Sequence, residues 1–290
     1  MKKFVIFSLL LSLVGFSGIL MGFKPTDEII DLETAIANKL ISAEFISNGA
    51  YSGESLIMKV RNLNSKKLNI RINAGTYFDA PSDDEQNLII PQEDFIVLEP
   101  KVSKEKLLNG YCTDMGNASP NENGIFVLEK VNIKGMAEFL NLIKGKNLEN
   151  YTIQSAIWAL TDGESVSNID GENSADIDVL RKELFKITGQ SETWYKSRQQ
   201  YALSEDRHIN TATLTINGKL KFQTVKGAII HEEIYDSEGT MLFKLSESKA
   251  ELGGEVGYEF NLKVQGWKKG NYEIRLMDGT KLVKTFEFVV

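Results

Sequence analysis

Cysteine, histidine and proline are all scarce in this chain. Its 290 residues include one Cys, two His and 5 Pro. A disulfide framework needs pairs of cysteines, and a Cys/His zinc site needs more ligands than these residues supply, so the sequence excludes both. A Gly-rich phosphate loop and the motifs Gly-x-Ser-x-Gly and His-Glu-x-x-His are also absent from the sequence. These absences remove several large classes of enzyme.

Positive charge is in deficit as well. The chain has 33 Lys and Arg against 40 Asp and Glu, which gives a formal net charge of −7, and it contains no basic block. Because nucleic-acid binding requires a basic surface that neutralises phosphates, we expect no nucleic-acid partner. The fractions of hydrophobic residues, 42%, and charged residues, 25%, are those of folded globular proteins. The length allows two domains.

The first 23 residues combine a positive start with a long apolar run. Lys2 and Lys3 precede an uninterrupted apolar and small-residue segment from Phe4 to Phe23. This order is typical of a bacterial secretory signal, and the run is also long enough to remain as a membrane anchor. We therefore predict an exported protein of the periplasm, the cell surface or the medium, with 1–23 as a signal peptide or N-terminal anchor. Any membrane contact is expected only through an uncleaved form of this segment.

Hydrophobic periodicity divides the remainder into two folded regions and a linker. Residues 24–189 are predicted to begin with a short helix over 27–41 and to continue as alternating strands, which indicate a β-sandwich. The stretch 190–208 is polar and aperiodic, which is typical of a linker. Residues 209–290 alternate again, with hairpin signals such as Asn217-Gly218, and predict an Ig-like β-sandwich.

Between the first strands and the linker, the hydrophobic period changes to that of helices. Apolar residues recur at helical spacing, and the sequence predicts about three helices, near 136–143, 151–160 and 174–187. The predicted fold is therefore mainly β with a helical subdomain, and it contains two β-sandwich (Ig-like) domains, the first of them followed by the helices.

A Tyr-Cys pair and a Gln-x-Ala-Ile-Trp segment are the most unusual motifs. Tyr111 precedes Cys112, and the second motif runs from Gln154 to Trp158. Together they resemble the thioester domains of bacterial surface adhesins. The resemblance implies a bond between the Cys112 sulfur and the side-chain carbonyl of Gln154, formed with loss of ammonia, and makes Tyr111 and Trp158 supporting motif residues.

The same residues also have ordinary structural explanations. Gln154 lies on a predicted helix that is apolar over most of its surface, so its carboxamide is expected to be buried and bonded to backbone groups. A free cysteine is most often a small buried hydrophobic residue. A cysteine protease would need a histidine partner, but His208 lies in the linker and His231 in the other predicted domain.

The C-terminal region carries a second resemblance. The segments Ile234–Gly239 and Gly270–Leu276, followed by an apolar final strand, resemble FlgD-like Ig modules and the C-terminal sorting domains of exported bacterial proteins. The resemblance implies a structural or presentation module, with a role in sorting as the alternative.

Acidic residues form short clusters, among them 83–85, 162–164 and 170–178, but none matches an EF-hand loop, so we predict no metal and no cofactor.

The favoured function is an exported non-catalytic envelope or cell-surface module that binds or adheres to an unknown protein or glycan. One alternative is a thioester adhesin that acylates target amines through Cys112 and Gln154. The other is a hydrolase with unidentified carboxylates.

Overall fold

The structure, a computed structural model, describes residues 28–290. Over this range the chain is mainly β, with four sheets and a smaller helical part. The signal peptide or anchor predicted over 1–23 lies outside the described residues. Within 28–290, every helix is too short or too polar to cross a bilayer.

Two sheets make up the N-terminal part of the described chain. Its elements are β1 (Ile29–Asp31), α1 (Leu32–Ala37), β2 (Ile41–Asn48), β3 (Glu54–Asn62), β4 (Leu68–Ile72), β5 (Tyr77–Asp79), β6 (Leu88–Ile89), β7 (Asp94–Leu98), β8 (Ser103–Asn109), β9 (Tyr111–Cys112) and β10 (Glu122–Glu129). Strands β1, β4 and β7 form a three-stranded sheet, and the other seven form a sheet in the order β8-β3-β2-β10-β5-β6-β9. Buried side chains of both sheets meet in one cluster, here called the first core, which includes Leu32, Phe45, Met58, Ile70, Phe78, Leu98, Cys112 and Trp158.

The helix predicted over 27–41 is wrong in extent. Only Leu32–Ala37 is helical, and Ile29–Asp31 instead forms β1, which pairs in parallel with β4. The local periodicity suits a helix, but pairing with β4 satisfies the backbone groups of 29–31 by long-range hydrogen bonds. Tertiary pairing therefore overrides the local preference.

Helices follow β10 at the predicted places. They are α2 (Met136–Ile143), α3 (Asn150–Thr161), a 3-10 turn (Val166–Asn168) and α4 (Ser174–Thr188). Helix α4 begins after Asn173, whose side chain accepts a hydrogen bond from Asp176 N–H, and ends at Gly189, whose φ of 75° suits glycine. Their apolar faces form a second core with residues of the seven-stranded sheet, namely Tyr77, Ile89 and Tyr111.

Two further sheets form the C-terminal part. Its strands are β11 (Tyr195–Leu203), β12 (Ile209–Thr224), β13 (Ile229–Tyr235), β14 (Met241–Lys244), β15 (Ser248–Lys249), β16 (Gly254–Lys263), β17 (Asn271–Asp278) and β18 (Lys281–Val289). One sheet has the order β11-β12-β16, and the other has the order β14-β13-β17-β18 with β15 also paired to β13. A third core fills the space among these strands, with Ile216, Leu220, Ile234, Val264, Ile274 and Phe288.

Asn217-Gly218 does not form the predicted hairpin. Both residues lie inside the continuous strand β12. A Cβ on Gly218 would lie 2.5 Å from the carbonyl oxygen of Trp194, so the glycine permits a close approach of the neighbouring backbone. The Asn-Gly pair that predicted a turn therefore reflects the close packing of Gly218 on the Trp194 backbone.

The segment predicted as a linker contains a long strand. β11 pairs with β12 along its whole length, and its Tyr195 belongs to the third core while Tyr201 packs against the first. The strand keeps polar side chains because they bond to the helical part. For example, Ser197 Oγ–H donates to Asn168 Oδ1 at 2.7 Å. The domain boundaries themselves stay a prediction.

We expect limited proteolysis to spare β11. Trypsin cleaves segments that open locally, and Lys196 and Arg198 are held in a paired strand, whereas Lys130 lies in exposed coil between β10 and α2. Within residues 28–290, cleavage after Lys130 should therefore precede cleavage after Lys196 or Arg198, as read by mass spectrometry of early fragments. First cuts after Lys196 or Arg198 would instead indicate that 190–208 is an open linker.

Candidate functional site

Strand β9 places Tyr111 and Cys112 on opposite sides of the sheet. It pairs with β6 in the register Leu88 with Cys112 and Ile89 with Tyr111. Because side chains alternate along a strand, Cys112 enters the first core and Tyr111 enters the second. Both side chains are buried.

Helix α3 brings Gln154 to this strand. The helix is buried along eight consecutive residues, Thr152–Ala159, because it packs between the first core and the other helices. The apolar side chains of α3 leave little room for solvent around Gln154, which is 1% exposed. The burial predicted for this residue is therefore correct.

The carboxamide of Gln154 lies directly on the backbone of Cys112. Its Nε2–H donates to the Cys112 carbonyl oxygen at 2.7 Å, and its Oε1 accepts from Cys112 N–H at 3.1 Å. The Cys112 N–H also donates to the Tyr51 carbonyl oxygen at 2.9 Å. The predicted pair of site residues is therefore brought together, and the carboxamide has the backbone partners that the structural explanation requires.

The Cys112 thiol lies in an apolar environment. The side chain is fully buried in the first core, which also contains Trp158, and the Tyr51 ring stacks on the Trp158 ring with centroids 6.1 Å apart. Burial raises the pKa of the Cys112 thiol well above its ordinary value, and the Asp114 carboxylate raises it further. The sulfur is therefore protonated at neutral pH.

Two carboxylates lie beside the loop that follows Cys112. Asp114 accepts from Thr113 Oγ1–H at 2.8 Å and from Asn87 Nδ2–H at 3.1 Å. Asp162, at the end of α3, accepts from Met115 N–H at 2.7 Å. Burial raises the pKa of Asp162. The bond between Met115 and Asp162 holds the loop after Cys112 against the end of the helix that carries Gln154.

Tyr111 and Trp158 support the site from either side. The Tyr111 hydroxyl donates to Asn150 Oδ1 at 2.7 Å and so connects β9 to the start of α3. Trp158 is fully buried, and its Nε1–H has no hydrogen-bond partner among the described residues. Its ring contacts Tyr201 edge to face, with centroids 5.0 Å apart.

Sequence analysis missed Tyr51, Asp114 and Tyr201. Asp114 is close enough to Cys112 in sequence to have been found by asking which charges flank the cysteine. Tyr51 and Tyr201 come from distant parts of the chain, so no local pattern relates them to the site.

Several of the other candidate groups form ion pairs within the described residues. Glu85 binds Arg207, Asp176 binds Lys146, and Asp170 lies 3.4 Å from Lys196. The two histidines pair with carboxylates close to them in sequence, Asp206 and Glu233. Within residues 28–290, the structure has no group of three or more His, Cys, Asp or Glu side chains placed to hold a metal ion.

Comparison with known proteins gives no assignment. The chain matches no family model and no curated protein. Among solved structures, it is similar to a protein described as a β-galactosidase of Bacteroides fragilis, with 12% identity, 84% of this chain and 34% of that chain covered, and a TM-score of 0.23. It is also similar to a β-glucosidase of Kluyveromyces marxianus, with 8% identity, 81% and 44% coverage, and a TM-score of 0.21.

A third match is the β-glucosidase DesR of Streptomyces venezuelae, with 9% identity, 86% of this chain and 47% of that chain covered, and a TM-score of 0.16. The chain thus spans less than half the length of each of these proteins. TM-scores this low do not establish a common fold, so these matches assign no activity to the chain.

Trp158→Ala should lower the free energy of unfolding by about 3–5 kcal/mol, because it removes a fully buried ring and leaves a cavity. Trp158→Phe is the matched control and should cost less, since it keeps an aromatic ring and removes a buried N–H that lacks a partner. Urea denaturation of both variants measures the difference. A loss below about 1 kcal/mol for Trp158→Ala would indicate an exposed side chain.

Proposed function

We propose that this chain is an exported surface-binding module in which Cys112 and Gln154 form an internal thioester that acylates an amine of its ligand. The observation that carries the proposal is the placement of the Gln154 carboxamide on the Cys112 backbone, with both side chains buried. The motif resemblance names the same two residues. The favoured role as a binding module is retained, and the thioester supplies its means of attachment.

The bond can form without a cofactor. The Cys112 sulfur attacks Cδ of Gln154, the carbon–nitrogen bond of the carboxamide breaks, and the nitrogen leaves as ammonia with the thiol proton. Negative charge develops on Oε1 during the attack, and Cys112 N–H already donates to that oxygen. A backbone N–H of the nucleophile itself in this position is the arrangement of an oxyanion hole.

Acylation of a ligand is a second substitution at the same carbonyl carbon. The amine nitrogen of the ligand attacks Cδ, the carbon–sulfur bond breaks, and a proton of the amine goes to the sulfur. The products are a stable amide on residue 154 and a free Cys112 thiol. Such a bond must be protected from water before it meets the ligand, and the burial of both residues supports this requirement.

The proposal includes a finer description of the architecture. The two N-terminal sheets share one core, which suits a β-sandwich with α2, α3 and α4 as a helical subdomain on it. The two C-terminal sheets share another core, which suits an Ig-like sandwich of the kind that the resemblance to FlgD-like modules implies, and such a sandwich would present the first domain. Export through 1–23 would bring the site to surface proteins or amine-bearing glycans.

One mass measurement tests the thioester. The intact native protein should be lighter than its sequence by one ammonia molecule, should not react with thiol reagents, and should gain methylamine at Gln154. Cys112→Ala and Gln154→Ala are the controls, and each should have the full mass of its own sequence. A wild-type protein of full mass that takes up no methylamine would refute the proposal and leave Gln154 as a structural residue in a non-covalent binding module.

A further inference from the structure

We propose that the hairpin of β11 and β12 seals the Cys112–Gln154 site and that Tyr201 is the positioning residue that controls access of water and amines to it. This inference rests on the proposed thioester function, because it assigns the part of the molecule that keeps the bond dry. It also gives a role to the segment that the sequence presented as a linker.

The first observation is the contact of Tyr201 with helix α3. Its ring stacks on Tyr151 with centroids 5.3 Å apart and meets Trp158 edge to face at 5.0 Å, and its hydroxyl lies 3.0 Å from Ser155 Oγ. Tyr151 and Trp158 lie three residues before and four residues after Gln154, so both are its neighbours on the helix surface. Tyr201 therefore covers the helix on the side that carries the carboxamide.

The second observation is at the tip of the same hairpin, on the loop that follows Cys112. Arg207 donates to the Ser119 carbonyl oxygen and lies 3.5 Å from the Glu85 carboxylate. Ser119 N–H donates in return to the Arg207 carbonyl oxygen at 2.8 Å.

Glu85 makes this second attachment firm. Its carboxylate is buried, and it accepts hydrogen bonds from the backbone and the side chain of Asn121 as well as facing Arg207. Removing the arginine would leave a buried carboxylate without its cation, which is costly. The hairpin tip therefore stays on the loop in the closed protein.

The two attachments together make the hairpin a seal. Tyr201 attaches the hairpin to the helix that carries Gln154, and Arg207 attaches it to the loop that continues from Cys112. While both attachments hold, the helix and the loop cannot move apart. Tyr201 also belongs to the residues packed against the first core, in which the Cys112 side chain is buried. Release of the hairpin is the local opening that would admit a reactant.

The test compares Tyr201→Ala and Tyr201→Phe with Gln200→Ala, a control at the adjacent exposed position of the same strand. The mass of the wild type is determined first. If it carries the thioester, the readouts are the rates of methylamine uptake and of spontaneous hydrolysis. If it has the full mass, the proposed function fails, and the rate of Cys112 alkylation in the native protein still measures the seal.

We expect Tyr201→Ala to increase these rates by about tenfold or more, because loss of the ring contacts makes local opening easier. Tyr201→Phe keeps the ring and loses only the hydroxyl contact with Ser155, so its rates should lie much closer to those of the wild type. Gln200→Ala should match the wild type. Urea denaturation identifies any variant whose faster reaction comes from global unfolding instead of local opening.

Rates for Tyr201→Ala within about twofold of the wild type would overturn the proposal, since local opening would then not depend on the ring. If Tyr201→Ala does not fold, Arg207→Gln carries the test at the other attachment. A folded Arg207→Gln protein with faster methylamine uptake or alkylation would support the seal, and unchanged rates would overturn it.

Discussion

A pair of hydrogen bonds from one buried side chain joins the helical part of the molecule to the sheet. Strand β9 is at the edge of the seven-stranded sheet, and the Cys112 N–H and C=O bond outside the sheet, the N–H to both the Tyr51 carbonyl oxygen and Gln154. A buried carboxamide that found no partner would cost about 1–3 kcal/mol. Gln154 and the edge of β9 satisfy each other, and these bonds join α3 to β9 where the apolar side chains of the helix pack between the two cores.

The chemistry that we propose is a consequence of the same requirement. A glutamine that must be buried and must bond to the backbone of a cysteine has its carbonyl oxygen on a hydrogen-bond donor of that cysteine. A structural glutamine and a thioester precursor share this contact, and the thioester requires in addition that the sulfur reach Cδ of the glutamine. A structural glutamine becomes a thioester precursor only if the Cys112 thiol reacts with it in the dry interior. Burial keeps water away from Cys112 and Gln154 and would also protect the thioester that they form.

Strand β11 contributes side chains to both the first core and the third core. Aromatic contacts run from Tyr51 through Trp158 to Tyr201, so the first core is completed by a residue that is carried on a strand of a C-terminal sheet. The other end of β11 packs in the third core through Tyr195. The C-terminal sheets therefore hold in place the strand that covers the candidate site, in addition to any role in presenting it.

Local patterns predicted much of the secondary structure. The helices that became α2, α3 and α4 were found from apolar spacing, and the burial of Gln154 followed from the apolar surface of α3. The errors share one physical cause, which is strand pairing that the local hydrophobic pattern does not show. β1 is a strand because β4 lies beside it, β11 is a strand because β12 pairs with it, and Gly218 is a packing residue because the Trp194 backbone approaches it.

The sequence by itself determined the residue types of the site and the helix that carries Gln154, and it excluded a disulfide framework and a Cys/His zinc site, because composition and short-range periodicity decide these. Only the tertiary structure decided that the Gln154 carboxamide bonds to the Cys112 backbone and that Tyr201 and Arg207 attach the β11–β12 hairpin around the pair. These contacts join residues far apart in the chain, and their free energy comes from burial and hydrogen bonding that exist only once the sheets and helices have packed.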